Sequence, residues 1–248
     1  MRRVPPPTPI ATPRIVAIPI AFNEAHAIGR VIDRLHQVPG VDVAVVDDGS
    51  TDGTASVIRR HGARAIAWPV QRGAGAAIRA GYAWARAHGY DICVILSGND
   101  KDRPAEIPTL VGPIVSGAAD LVQGSRFLPG GAYRHMPRYR HVACRYVHAV
   151  LFSLAAGRRL TDTTNGFRAL RLSALDDDDL DLDQSWLDTY DLEPYLLLRL
   201  IRLGYAVLEV PVTKVYPQPG APYTKMRAII DWWSIVRPVV LLGLRLRT

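Results

Sequence analysis

The chain has 248 residues, of which 48% are hydrophobic and 21% charged, a mix that supports a buried core and excludes wholesale disorder. Thirty Lys and Arg against 23 Asp and Glu leave a charge of +7, which points to anionic partners such as phosphates or an acidic membrane face. Two cysteines, Cys93 and Cys144, exclude a disulfide framework and point to a reducing compartment, and no apolar run reaches the roughly 18 residues that span a bilayer.

Residues 1–13 hold five prolines and predict a disordered or extended tail without the apolar stretch of a secretory signal. Ile15 to Ala21 is an unbroken apolar run and predicts a buried strand. Ile28, Val31, Ile32 and Leu35 then mark one face of a helix that Pro39-Gly40 ends. Val41 to Val46 predicts a second strand, stopping at Asp47-Asp48-Gly49-Ser50, with Asp52 as N-cap of the next helix. Ala63 to Val70 predicts a third strand, Gly73 to Ala87 a helix, and Asp91 to Leu96 a fourth strand. Ile107, Leu110, Val111 and Ile114 mark the helix after it. Four strand–helix alternations predict a parallel sheet with right-handed crossovers, an α/β architecture.

The second half is less regular. Strands are predicted at 120–124, 166–171 and 205–216, and helices at Arg138 to Ala156 and Asp191 to Leu203. Val147, Val150, Leu151 and Leu154 share one face of the long helix. The acidic run from Asp176 to Asp183 reads as a mobile surface loop. The end of the chain combines Trp232-Trp233, many aliphatics and Arg227, Arg237, Arg245 and Arg247, which suits a helix lying on a membrane surface or packing on the domain or another subunit.

In open α/β sheets, ligands bind beyond the carboxyl ends of the strands. Asn23-Glu24, Asp47-Asp48, Gln71-Arg72 and Asn99-Asp100 therefore converge on one site. Asp47 and Asp48 read as contacts to a base, a ribose hydroxyl or a metal, or as an Asx turn with Gly49-Ser50. Gly73 and Gly75 open a helix beside Arg72 and allow backbone N–H groups to approach a phosphate, without the spacing of a dinucleotide fingerprint. Asn99, Asp100 and Asp102 offer oxygens to Mg²⁺ or Mn²⁺, or form a solvated loop in which Asp102 caps the following helix. Arg126, Arg138, Arg140, Arg145 and Arg168 suit phosphate binding or a solvated face. No nucleic-acid-binding module is recognisable.

The segments IPIAFNE, VVDDGSTDGT, QRGAGAAIRAGY, GSRFLPGG, TDTTNGFRALR and PGAPYTKM occur in that order. Together they resemble the inverting family 2 glycosyltransferases of GT-A fold, and within them the branch that makes dolichyl- or polyprenyl-phosphate sugars. The likeness spans about residues 14 to 230. It implies a Rossmann-like, mostly parallel central sheet flanked by helices. It divides the chain into the tail 1–13, a glycosyltransferase domain 14–226 and an amphipathic helical segment 227–248.

Carried over, the resemblance places Pro19, Ala21, Phe22, Glu24, Asp47, Asp48, Arg72, Gly73, Gly75, Ser97, Gly98 and Asn99 at a nucleotide-diphospho-sugar, UDP- or GDP-linked. It places Arg126, Arg138, Arg145, Arg168 and Lys225 at an acceptor phosphate. The metal-binding DxD of the family falls on Ser97-Gly98-Asn99, so both its aspartates are replaced. Asp100 and Asp102 then supply carboxylates in a shifted register, or Lys101 neutralises the diphosphate instead. Asp100, Asp102, Asp162 and Arg126 are the catalytic candidates, with Asp162 as base if the acceptor is a hydroxyl. The implied protein is a peripheral enzyme at the cytoplasmic face of a membrane, single or as a homo-oligomer. The alternatives are a soluble transferase acting on a small-molecule or glycan hydroxyl, and a non-catalytic nucleotide-sugar binder.

Overall fold

β-Branched and aliphatic runs with no room for charge form the centre of the sheet. The computed structural model describes residues 4–218 and 230–243. Strands β1 (Ile15–Ala21), β2 (Val41–Asp47), β3 (Arg64–Ala67) and β4 (Ile92–Ser97) alternate with helices α1 (Ile28–Leu35), α2 (Thr54–Arg60) and α3 (Ala74–Ala87). Helix α4 (Ile107–Val115) leads to β5 (Leu121–Ser125), and β7 (Arg168–Arg171) and β8 (Val207–Pro211) complete a seven-stranded sheet. The order is β3–β2–β1–β4–β7–β5–β8. All pairs are parallel except those of β7, which runs antiparallel to β4 and β5. Two short strands, β6 (Ala132–Arg134) and β9 (Thr213–Val215), form a separate parallel pair.

Side chains alternate across a strand, and β1 shows it. Val16 and Ile18 enter a core with Tyr82 and Ala85 of α3, and with Tyr195 and Leu198 of α7 (Leu192–Leu203). Ala17 enters the opposite core with Ile28 and Ile32 of α1 and Leu110 of α4. The sheet is thus covered on both faces, as a mainly parallel sheet requires. Cys93 and Cys144 are buried and unpaired.

The long helix predicted from Arg138 to Ala156 is present as α5 (Arg138–Val142), a π-helical stretch (Ala143–His148) and α6 (Ala149–Ala156). The last helix, α8 (Ile230–Gly243), packs on α6 and α7, with Ser234, Val239 and Leu242 buried. Arg237 pairs with the buried Asp191 at 2.8 Å. The face α8 turns inward is therefore committed to the domain, although Trp233 is exposed. Arg227, Arg245 and Arg247 lie outside the described residues.

Three expectations are corrected. The tail is not loose throughout: the Ile10 N–H donates to the Val115 carbonyl at 2.9 Å, and Arg171 donates to the Thr8 carbonyl at 2.8 Å. The third strand stops at Ala67, because Pro69 has no N–H to continue a ladder and Asp48 gathers the chain beyond it. The acidic run is tied down: Asp176 pairs with Arg86, Asp183 with Arg79, and Asp177 accepts from the Tyr205 hydroxyl.

Candidate active site

The strand order reverses between β1 and β4, which marks the topological switch point at whose carboxyl ends open α/β sheets place a ligand crevice. On the β1 side, Asn23 takes a left-handed φ of 51° and its side-chain oxygen accepts the Thr51 N–H at 2.8 Å. The Glu24 N–H donates to the Thr54 hydroxyl at 2.9 Å. These bonds join the loops after β1 and β2. Glu24 is buried and Phe22 half-buried at the crevice. Pro19 and Ala21 are both buried inside β1, Ala21 in the core with Ile28 and Leu110.

Asp47 and Asp48 divide the work the sequence left open. Asp47 closes the Asx turn, accepting the Ser50 N–H at 3.1 Å. Asp48 reaches further, accepting from the Trp68 indole at 2.9 Å and from the Arg72 and Gly73 N–H groups at 2.8 and 2.9 Å. Its carboxylate therefore shapes the loop before α3. Gly73 and Gly75 are required by packing. A Cβ on Gly73, which has φ +110°, would lie 2.4 Å from the Asp188 carbonyl oxygen, and one on Gly75 would lie 1.9 Å from that of Leu187. The glycines admit the 187–189 backbone. Arg72 is exposed, with its guanidinium 5.2 Å from the Trp68 ring centre.

The loop after β4 holds Ser97 to Asp102. Gly98 is buried, and its N–H donates to the Ile20 carbonyl at 2.9 Å. The Asn99 side-chain oxygen is buried without a hydrogen-bond partner. Asp100, at φ 60°, is held by Arg30 at 3.0 Å and Arg34 at 2.6 Å, both from α1. Asp102 is buried, accepting from the Lys214 ammonium at 2.6 Å and the Ser97 N–H at 3.0 Å. Lys101 is 9% exposed. Burial lowers its pKa to about 8, helped by the positive charges of Lys214 and Arg140.

Beyond β5, Arg126 and Asp162 form a pair with side chains 1% and 0% exposed. Arg126 donates to both carboxylate oxygens, at 2.6 and 2.7 Å, and also to the Thr164 and Tyr216 hydroxyls. Burial opposes the charge on each, but the partner outweighs it: Asp162 is held below the usual carboxylate range and Arg126 above its ordinary value. Asp162 is thus a positioning residue for Arg126, not a base presented to a hydroxyl. Arg168 is equally buried and donates to the Glu193 and Asn165 carbonyls, so it supports the core rather than an acceptor. Arg138 is exposed at the start of α5, and Arg145 lies half-buried with its guanidinium donating to the Phe127 carbonyl at 3.1 Å. Lys225 lies outside the described residues.

The fold and the comparisons agree. Residues 16–179 match the family described as Glycosyl transferase family 2. The chain belongs to glycosyl transferase family 2. It is 32% identical over 213 residues to an undecaprenyl-phosphate mannosyltransferase of Micrococcus luteus, covering 84% of this chain and 86% of that one. It is 33% identical over 219 residues to a polyprenol monophosphomannose synthase of Mycolicibacterium smegmatis, covering 84% and 80%. Among solved structures, glucosyl-3-phosphoglycerate synthase from Mycobacterium tuberculosis, crystallised with Mn²⁺, UDP and glucosyl-3-phosphoglycerate, superimposes with a TM-score of 0.69 at 25% identity, covering 95% of this chain and 80% of that one.

In this family 2 glycosyltransferase the residues after β4 do not fit a divalent ion. Such an ion needs several hard oxygen ligands, carboxylates among them. Ser97 and Asn99 offer neutral oxygens, while Asp100 and Asp102 are already held by three cations. Among the described residues, no three His, Cys, Asp or Glu side chains converge as a metal site. A broad depression of about 820 Å³ between Ala25, His26, Asp52, Gly53, Arg59 and Arg60 flanks the β1 and β2 loops, and none of the cations near Lys101 lines it.

Sequence reasoning missed three residues here. Lys214 joins Asp102 to the Asn165 side chain, and Tyr216 receives Arg126. Glu209 accepts the Thr161 and Asp162 N–H groups and fixes the turn before Arg126's partner; burial raises its pKa. Arg140, already among the arginines singled out from the sequence, brings its guanidinium 5.6 Å from the Tyr216 ring centre. The opposite charges of Glu209 and Lys214 in an otherwise uncharged, mostly apolar run were the available signal.

Proposed function

We propose that this enzyme transfers a glycosyl group, with inversion, from a nucleotide-diphospho-sugar to a polyprenyl phosphate at an anionic membrane surface. The observation that carries the reading is the outer face of the helix from Arg138 to Ala156. Tyr139, Val142, Tyr146, Val147, Val150, Leu151 and Leu154 form one stripe there, each 45% exposed or more, with Leu154 at 76%. The helix is about 28 Å long at 1.5 Å per residue. Exposed Arg138 stands at its head, and Arg158 and Arg159 lie just past its end. An apolar stripe bounded by arginines suits a helix lying in a bilayer interface. On the inner face, Arg140, Arg145 and His148 turn toward Tyr216, Phe127 and Thr163. One helix thus offers apolar contact to a lipid chain and cations to its phosphate.

The chemistry supports the same acceptor. A phosphate monoester is ionised at neutral pH and attacks the anomeric carbon without a general base. That agrees with Asp162 being sealed against Arg126. The mannosyltransferases of Micrococcus and Mycolicibacterium carry polyprenyl phosphates in their names. Among the described residues no helix is long and apolar enough to cross a membrane, so attachment at the cytoplasmic face would be peripheral.

The test offers UDP- and GDP-hexoses with a short-chain polyprenyl phosphate, alongside flotation with vesicles of anionic and of neutral lipid. Transfer to the lipid phosphate and flotation on anionic vesicles are expected. Val150→Glu combined with Leu154→Glu should weaken flotation at least about tenfold, since each places a charge where an apolar group of 1.5–3 kcal/mol was buried. Transfer to soluble hydroxyl acceptors instead, or a helix face that pairs two copies of the chain in sedimentation, would overturn the reading.

A further inference from the structure

The loop after β4 and the turn from Thr161 to Asn165 come from distant parts of the chain, and one buried lysine holds both. Lys214 lies on β9, and its ammonium donates to the Asp102 carboxylate at 2.6 Å and to the Asn165 side-chain oxygen at 3.0 Å. On one side, Asp102 passes the contact to the end of β4 by accepting the Ser97 N–H at 3.0 Å. The backbone is joined there as well: Asp102 forms a β-bridge with Lys214, and the Lys101 carbonyl accepts the Val215 N–H at 2.8 Å. On the other side, the Asn165 amide donates to the Gly124 carbonyl at 3.0 Å, and the Asn165 carbonyl accepts from Gln123 at 2.7 Å and from Arg168 at 2.9 Å. Asp162, in the same turn, grips Arg126, which donates in turn to the hydroxyl of Tyr216, two residues beyond Lys214. Asp102 and Asn165 are buried, and buried polar groups hold their places when each has its partner. The charges of Lys214 and Asp102 match each other, so what this array offers the reaction is geometry.

We propose that Lys214 is a positioning residue for glycosyl transfer: its ammonium sets the separation between the loop after β4 and the turn that holds Arg126, and so between the two substrates that meet there. The inference rests on the nucleotide-sugar reading above. On that reading the sugar donor occupies the carboxyl ends of β1 and β4, and the acceptor arrives along the helix from Arg138 to Ala156. Arg145 of that helix donates to the carbonyl of Phe127, the neighbour of Arg126. The Asp102–Lys214–Asn165 tie therefore spans from the donor side to the acceptor side. Direct displacement needs the reacting atoms about 3–3.5 Å apart, and a misplacement of about 1 Å costs about 10²-fold in rate. Two hydrogen bonds from one ammonium hold the two segments to a tolerance of that order. An apolar side chain of the same length fills the space and ties neither. In this role Lys214 touches neither substrate and moves no proton.

The experiment breaks the tie at either end in the full chain, with Lys214→Met, Asn165→Leu and the double variant. Transfer to a short-chain polyprenyl phosphate is measured from whichever of UDP- and GDP-hexose the wild type uses. Calorimetry with UDP or GDP counts the competent sites, so that kcat is expressed per nucleotide-binding site. Each single variant is expected to bind the nucleoside diphosphate at full stoichiometry, to keep KM for both substrates within about threefold, and to lose about 10²-fold in kcat. The double variant should lose no more than about threefold beyond either single one, because both changes cut the same tie. A folded single variant with kcat per site within about threefold of wild type would overturn the proposal. So would a loss confined to stoichiometry or Tm, which is what a purely structural lysine gives, or losses that multiply in the double variant. Asn165→Leu leaves the Lys214–Asp102 pair intact and carries the same test if Lys214→Met does not fold. A wild-type chain that binds neither UDP nor GDP and transfers no sugar refutes the nucleotide-sugar reading and takes the proposal with it. An active wild type whose variants match it refutes the proposal alone.

Discussion

Breaking the Arg126–Asp162 pair should be among the costliest single changes in this chain, and the coupling between the two residues can be isolated. The two side chains are 1% and 0% exposed and meet through two charge-assisted bonds at 2.6 and 2.7 Å, with a third from the Arg126 N–H at 3.0 Å. Removing Asp162 leaves a guanidinium buried against one carboxylate fewer, and breaking such a pair costs about 3–5 kcal/mol. In a chain of this size each kcal/mol moves Tm by about 2–4 °C, so Asp162→Leu should melt about 6–20 °C early. Arg126→Met should lose a similar amount. The double variant removes both charges, leaves neither stranded, and should be more stable than the sum of the two losses by about 2–3 kcal/mol. Thermal melts followed by circular dichroism, with the three variants closing a double-mutant cycle, measure this coupling. Losses that add to within about 0.5 kcal/mol, or an Asp162→Leu protein melting within about 2 °C of wild type, would refute the buried pair. They would also reopen a role for Asp162 as an exposed base.

Two further perturbations test the packing around the site. Gly75→Ala puts a Cβ 1.9 Å from the Leu187 carbonyl oxygen and should destabilise by about 1–3 kcal/mol, read as a lower Tm, whereas Gly112→Ala meets nothing within 4 Å and should stay within about 1 kcal/mol, its helix gain offset by the restriction before Pro113. His148 is buried between the Thr163 hydroxyl and the Ile235 carbonyl, and burial lowers its pKa below the ordinary 6.5. The unfolded chain therefore takes up the proton first as pH falls, so stability is full above about pH 6.5 and declines below it. Denaturant titrations from pH 7.5 to 5 should show that decline, and a flat profile would refute it.

The elements that sequence reasoning placed well are those whose signal is local. Ile28, Val31, Ile32 and Leu35 bury as a helix face because a 3.6-residue period is written within eight positions. The same holds for Arg138 to Ala156, though periodicity could group Val147, Val150, Leu151 and Leu154 without telling which way they turn. That direction was set by the other face, where His148 is held by Thr163, fifteen positions on, and by Ile235, eighty-seven away. The site was legible as a set of strand ends and illegible as a set of partners. Asp48 spends its carboxylate on residues 20 to 25 positions later. The glycines that open α3 are sized by a backbone more than a hundred residues distant.

The replacement of two aspartates by Ser97 and Asn99 could be read from seven letters. Whether Asp100 and Asp102 could stand in for them could not, because Arg30, Arg34 and Lys214 lie 66 to 112 positions away and only the fold delivers them. Once delivered, they decide the charge of the loop. A loop with two available carboxylates attracts a divalent ion, and one whose carboxylates are each matched by arginine or lysine does not. Lys101 stands between them, and there the Glu24 and Asp102 carboxylates work against the burial and the neighbouring positive charges of Lys214 and Arg140 that lower its pKa.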